Sequence, residues 1–135
     1  MGERERRDVQ LLVLQMTRLA QAMTDAANDV ARDPDVVSTM PVTLMFALDM
    51  EGPMRPTAVQ ALTGLSSGGV TKLVERLEQK GLVTRKTGAI EGDRRGVLVE
   101  LTRRGRNTVR SISDAMASAK KQNDALVDEL AQTLA

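Results

Sequence analysis

Between Pro56 and Gly105 the hydrophobic pattern changes from a helical to a strand period at Gly81, and no other feature constrains the fold as tightly. Before Gly81, Val70, Leu73, Val74 and Leu77 stand at i, i+3, i+4 and i+7, which makes one buried helical stripe. After it come two β-rich runs, residues 82–85 and 97–101. The punctuation agrees with this reading. Pro56 suits the opening position of a short helix over Thr57–Thr63, and Gly64 suits its stop. Ser66 is a good N-cap for a second helix that Gly81 terminates. The connection between the β-rich runs holds Gly88, Gly92, Gly96 and the charged triplet Asp93-Arg94-Arg95. A helix pair with a tight turn, followed by an arginine-tipped hairpin, is a winged helix-turn-helix. The predicted class is therefore mainly α (α+β), with the second helix over about residues 67–80 and the wing over about 82–101.

The second helix carries Gly68, Lys72, Glu75 and Gln79 opposite its apolar stripe, flanked by Thr71 and Arg76. A polar face with nothing to pack against fits the major groove, and a thin arginine-tipped hairpin can reach the narrower minor groove. Ser67, Thr71 and Lys72 lie on the first two turns, where a docked helix meets base edges. Lys72 can donate to guanine acceptors, and Thr71 can offer its hydroxyl or touch a thymine methyl. Arg76, farther along, suits a phosphate. Gly68 and Gly69 weaken the first turn by up to about 1 kcal/mol each relative to alanine. Their missing side chains would let the helix N-terminus approach DNA closely, with Gly68 on the outward face. The competing reading makes all of these ordinary surface residues.

The string Leu65-Ser66-Ser67-Gly68-Gly69-Val70-Thr71-Lys72-Leu73-Val74-Glu75-Arg76-Leu77-Glu78, followed by Lys80-Gly81-Leu82-Val83, resembles the MarR-type winged-helix transcription regulators. The likeness continues through Asp93-Arg94-Arg95 into Val97-x-Val99-x-Leu101-Thr102-x-x-Gly105, and it holds without a gap over residues 42–105. The resemblance implies that Arg95 enters the minor groove, that Asp93 orients it by a charge-assisted hydrogen bond, and that Arg94 contacts phosphate. It also implies a homodimeric, sequence-specific regulator, expected to be a repressor, acting on a pseudo-palindromic duplex. A small anionic or phenolic ligand is the further partner it implies. The alternative is a winged-helix interaction or ligand-sensing module without DNA binding.

The flanks read as a dimerisation arm. From Glu3 to Ala31 there is no Gly or Pro, and Val9, Leu12/Val13, Met16, Leu19/Ala20, Met23, Ala26/Ala27 and Val30 repeat at three- and four-residue steps. Pro34 closes this helix. Another helix starts near Pro41 and runs to about Asp49, with Leu44, Met45, Phe46 and Leu48 supplying core. After the wing, Thr102 can cap a last helix from Arg103. Its seam is Val109, Ile112, Met116, Ala119, Asn123, Leu126 and Leu130, read first as one long helix bending near residues 121–124; the alternative is a break at Asn123-Asp124, with Asn123 capping a short last helix. The chain thus divides into an N-terminal dimerisation helix (1–33), a winged DNA-binding domain (34–105) and a C-terminal dimerisation helix (106–135).

Composition narrows the chemistry. Net charge is +1, yet residues 53–106 carry eleven Lys/Arg against five Asp/Glu, while residues 1–52 carry five against nine. The winged stretch therefore holds the phosphate-seeking charge, with Arg55, Arg85, Lys86, Arg103, Arg104 and Arg106 as weaker phosphate candidates. The absence of Cys and His removes disulfides, thiol redox sensing, zinc sites of the usual ligands and the commonest general base. With no phosphate loop and no nucleophile paired to a base, no catalytic residue, metal or cofactor is expected. Phe46 is the only aromatic residue, so the core must be aliphatic and rich in methionine. The charged opening GERERRD lacks the pattern of a secretory leader, and a cytoplasmic protein is expected.

Overall fold

The computed structural model describes residues 1–88, 92 and 96–135, and among these it places seven helices and two strands. Helix α1 spans Glu3–Ala31 and ends where Arg32 turns left-handed (φ 52°), its N–H bonded to the Asn28 carbonyl. Asp33 then caps α2, Pro34–Val37, by accepting from the Asp35 N–H at 3.1 Å. As sequence, Asp33-Pro34 reads as a helix stop. The same pair is also an N-cap followed by a proline at the first helical position, and so starts a helix. Helix α3 is Thr39–Glu51, beginning two residues before Pro41. Leu44, Met45 and Leu48 are buried in it, whereas Phe46, expected in the core, is only half-buried.

Helices α4 (Pro56–Thr63) and α5 (Ser67–Gln79) follow, with Gly64 left-handed between them. Strands β1 (Val83–Thr87) and β2 (Val97–Leu101) pair antiparallel with Val83 opposite Leu101 and Thr87 opposite Val97. Met54 extends this hairpin on its far side, exchanging two backbone hydrogen bonds with Val99 at 2.9 and 2.8 Å. The wing is thus anchored to the segment between α3 and α4. Helix α6 is Arg103–Gln122 and α7 is Asp124–Leu134.

The last segment is therefore two helices and not the single long one favoured from its seam, with the break at the alternative position, Asn123. At Asn123 the backbone leaves the helix (φ −115°, ψ 34°), and its side-chain amide donates to the Ala119 carbonyl at 2.8 Å. That bond competes with the helical ladder and leaves α7 without a side-chain cap.

Two compact units result, Asp33–Ser111 and Met1–Arg32 with Ile112–Ala135. In the first, Leu44, Met45, Val59, Val70, Val74, Leu77 and Val99 form an aliphatic core, all at most 2 % exposed. In the second, α1 packs along α7. Only Gln15 and Ala27 of α1 are buried, and the carboxamide oxygen of Gln15 has no hydrogen-bond partner. No described helix is long and apolar enough to cross a membrane.

Candidate nucleic-acid interface

Helix α5 is fixed at both ends by bonds that the local sequence dictates. At its start the Ser66 hydroxyl accepts from the Gly69 N–H at 3.1 Å. At its tail Gly81 is left-handed (φ +74°), the Gly81 N–H bonds the Glu78 carbonyl at 2.9 Å, and the Leu82 N–H bonds the Leu77 carbonyl at 3.0 Å. This pair of bonds is the Schellman termination that a glycine beyond the helix end permits.

Beyond the tail, Thr102 ties α5 to α6. Its hydroxyl donates to the Gly81 carbonyl at 2.6 Å and accepts from the Gly105 N–H at 3.0 Å, while its own N–H donates to the Leu82 carbonyl. The first turn of α6 lies so close to Leu82 that a Cβ on Gly105 would fall 2.0 Å from the Leu82 carbonyl oxygen. The Leu-Thr-x-x-Gly string is thus a helix cap and a backbone contact in five residues.

Held this way, α5 buries Val70, Leu73, Val74 and Leu77 and exposes Ser67, Gly68, Thr71, Lys72, Glu75, Arg76 and Gln79. The two glycines differ. Around Gly68 only the Ser66 hydroxyl comes as near as 4.0 Å to an added Cβ, whereas at Gly69 the Cβ would lie 3.2 Å from that of Leu65. Gly69 therefore serves the packing of the turn, and Gly68 borders solvent. The Thr71 hydroxyl donates to the Ser67 carbonyl at 3.0 Å, so it presents its methyl group and its acceptor lone pairs outward.

Charge pairing separates the cations of the winged unit. Arg85 bonds Glu78 at 2.9 Å, Lys86 bonds Glu100 at 2.7 Å and Lys80 bonds Asp33 at 2.6 Å. Glu100 is thereby engaged with Lys86. Arg106 donates to the Leu101 carbonyl at 3.2 Å. Among the described residues no carboxylate pairs with Lys72 or Arg76. Two phosphate candidates of the sequence, Arg85 and Lys86, are thus engaged by carboxylates in place, while the two on the outward face of α5 meet no carboxylate among the described residues.

The wing is built up to its base, where the Gly88 N–H donates to the Gly96 carbonyl at 3.0 Å beyond the last strand pair. The expected roles of Asp93, Arg94 and Arg95 fall outside the described residues. A cavity of about 230 Å³ in the winged unit is lined by Leu48, Asp49, Pro53, Glu100, Leu101 and Arg106. With two carboxylates around one guanidinium it is poorly suited to an anion. Another, in the helical unit, includes Glu129 and no cation. Among the described residues no three His, Cys, Asp or Glu side chains cluster as metal ligands would.

Sequence reasoning missed Asp33 and Lys80, which stand 47 residues apart and meet only in the fold. The only local signal was Lys80 at the helix C-terminus, where a cation is ordinary.

The profile of the MarR family matches residues 37–96. Solved structures with the same fold include AbsC, a MarR family transcriptional regulator from Streptomyces coelicolor (TM-score 0.70, 19% identity, 90% of this chain and 79% of that one). Transcriptional regulator Tm0710 from Thermotoga maritima is similar at TM-score 0.66 and 23% identity, with 91% of each chain covered. CouR from Rhodococcus jostii, solved bound to p-coumaroyl-CoA, is similar at TM-score 0.67 and 22% identity over 92% of this chain and 86% of that one. No curated protein matches the sequence.

Proposed function

We propose, from the match of residues 37–96 to the MarR-family profile, that the chain is a transcription regulator that binds double-stranded DNA in sequence-specific fashion as a homodimer, and that it acts as a repressor. One observation carries this reading. The face of α5 that a docked helix turns to DNA bears Lys72 and Arg76 without described acidic partners, although the neighbouring cations Lys80, Arg85 and Lys86 are paired. Lys72 and Thr71 then read base edges in the major groove, with Ser67 and Gly68 at the leading end of the helix. Arg76 and Arg94 hold phosphates, and Arg95, oriented by Asp93, enters the minor groove from the wing. Such a protein is not an enzyme, and on this reading it works in the cytoplasm beside the DNA it binds.

The dimer rests on α1. Val9, Val13 and Met16, successive seam positions, are 59%, 55% and 52% exposed in the single chain. A second copy would cover this stripe and set two recognition helices about 34 Å apart, in successive major grooves of a pseudo-palindromic site. The CouR complex extends the reading to control by a small anionic ligand.

Selection from random duplexes at moderate salt tests the proposal. The expected result is an enriched inverted repeat, with binding that weakens steeply as salt rises because several phosphate contacts release counterions. Lys72→Ala should alter preference in the inner half-site and Arg95→Ala at its flanks, each by about 1–3 kcal/mol. Recovery of no enriched repeat would favour a protein-interaction module instead.

A further inference from the structure

The tail of the recognition helix is gripped from two sides. On one side Thr102 bonds the Gly81 and Leu82 carbonyls. On the other, the Lys80 ammonium meets the Asp33 carboxylate at 2.6 Å. The second grip is not a loose surface pair. One carboxylate oxygen of Asp33 takes Lys80 and the other accepts the Asp35 N–H at 3.1 Å, so the carboxylate is itself fixed to the first turn of α2. Lys80, in turn, is the C-cap residue of α5. The bond therefore joins the end of one helix to the beginning of another.

We propose that Asp33 and Lys80 are positioning residues for DNA recognition, their ion pair setting the angle at which α5 presents Ser67, Thr71 and Lys72. The proposal rests on the DNA-binding reading above, and leverage is its physical basis. Thirteen helical residues make a rod of about 20 Å, and a tilt of about 5° at its tail moves the first turn by nearly 2 Å. A base-edge hydrogen bond holds only within a few tenths of an ångström, so this tilt would break it. The pair lies at the end of the helix opposite Ser67 and acts on the reading residues only through the helix. A half-exposed ion pair adds little to stability, so its removal should leave the fold in place and register in recognition.

Asp33→Asn separates geometry from charge. Asparagine keeps the cap of α2 and removes the negative charge, so electrostatics alone would tighten DNA binding, whereas lost positioning weakens it. Asp33→Asn and Lys80→Met should each weaken binding to the selected duplex about fivefold and narrow its margin over random duplex. The double variant should be no weaker than Lys80→Met alone, and Lys80→Arg should behave as the parent. A second readout needs no DNA. The chain has no cysteine, so Glu51→Cys and Glu75→Cys, both at exposed positions, accept a spin-label pair reporting the distance between α3 and α5. Asp33→Asn should broaden that distance distribution.

Unchanged distances together with tighter or unchanged binding in Asp33→Asn would overturn the proposal. So would equal losses on selected and random duplex. If the parent bound no duplex at all, the DNA-binding reading would fail, and the label distances would still decide whether the pair holds the helix.

Discussion

In the winged unit the apolar stripe of α5 and, from the hairpin, Val83, Val99 and Leu101 are buried within the unit, and Val70, Val74, Leu77 and Val99 are at most 2% exposed. In the helical unit the longest helix of the chain leaves Val9, Val13 and Met16 about half exposed and buries a glutamine whose carboxamide oxygen has no partner. Taken as a single chain, the first unit is complete in that its stripe is covered, and the second incomplete in that one flank of its stripe is open. A short helix with a cap, a glycine stop and a hairpin partner finds all its bonds nearby. A 29-residue amphipathic helix has two flanks to its seam, and α7 packs against this helix. The flank carrying Leu12, Leu19 and Ala26 is partly buried, while that of Val9, Val13, Met16 and Ala20 remains open.

The most severe test strikes the complete unit. Gly105→Ala puts a Cβ 2.0 Å from the Leu82 carbonyl oxygen, and this neighbour is backbone, unable to swing away. The first turn of α6 must then separate from the tail of α5, losing the Thr102 bonds. The expected loss is about 3 kcal/mol, at the upper end for overpacking. Thermal unfolding followed by circular dichroism measures it, and a variant melting with the parent would show that this contact yields without cost.

The incomplete unit should respond to concentration and not to temperature alone. Val13→Asp with Met16→Asp places two charges on a stripe already exposed in the single chain, so the isolated fold has little to lose. If a second copy covers that stripe, the unpaired charges should raise the dimer dissociation constant at least about a hundredfold. Sedimentation at micromolar concentration should show a dimeric parent and a monomeric variant. A monomeric parent would end the comparison, since the open flank would then need another account.

These two units were also unequally legible in the sequence. In the winged unit the informative signals are local: Pro56, Gly64, Ser66, Gly81 and Thr102 mark caps and stops, and each does so in the structure. The full length of α1 was readable too, because nothing between Glu3 and Ala31 interrupts it. Which flank of its seam would be covered was not, since both flanks are apolar and the choice is tertiary. The same limit hid Gln15. Asn123 misled because the same residue can hold a seam position in a long helix or turn back on its own ladder, and periodicity alone does not separate the two. Phe46 misled by size, the smaller Met45 being the better buried of the two. The Asp33–Lys80 pair joins residues too far apart for any spacing rule.

A smaller effect distinguishes the outward face of α5 from its packed face. Gly68 has open space where a Cβ would stand, so Gly68→Ala should raise stability by up to about 1 kcal/mol through the helix propensity of alanine. Gly69 sits 3.2 Å from Leu65 by the same measure, and alanine there should gain less or lose. If the leading turn approaches DNA closely, Gly68→Ala should weaken binding to the selected duplex while melting higher. Parental affinity in that variant would mean that the glycine has no part in reading DNA.

The smallest effect concerns pH, and it belongs to the winged unit through Asp33. The hydrogen bond from Lys80 is the main cause holding the Asp33 carboxyl below its ordinary value of 3.8, with the charge of Lys80 and the N–H groups of Asp35 and Val36 acting in the same direction and desolvation against them. A carboxyl whose folded pKa is depressed stabilises the fold at pH values above its unfolded pKa. That stabilisation is lost as pH falls through the folded value, because the unfolded chain takes up the proton first. The parent should therefore be more stable than Asp33→Asn at pH 5 by no more than about 1 kcal/mol, since the pair is half-exposed and screened. Below about pH 4 the difference should shrink, and it should vanish once pH has fallen below the folded value. Chemical denaturation of both proteins at several pH values measures it. The double variant Asp33→Asn with Lys80→Met should show the same flat profile as Asp33→Asn. A parent and an Asp33→Asn variant with parallel pH profiles would mean that the 2.6 Å contact carries no net interaction in solution, and that the tail of α5 is held by Thr102 alone.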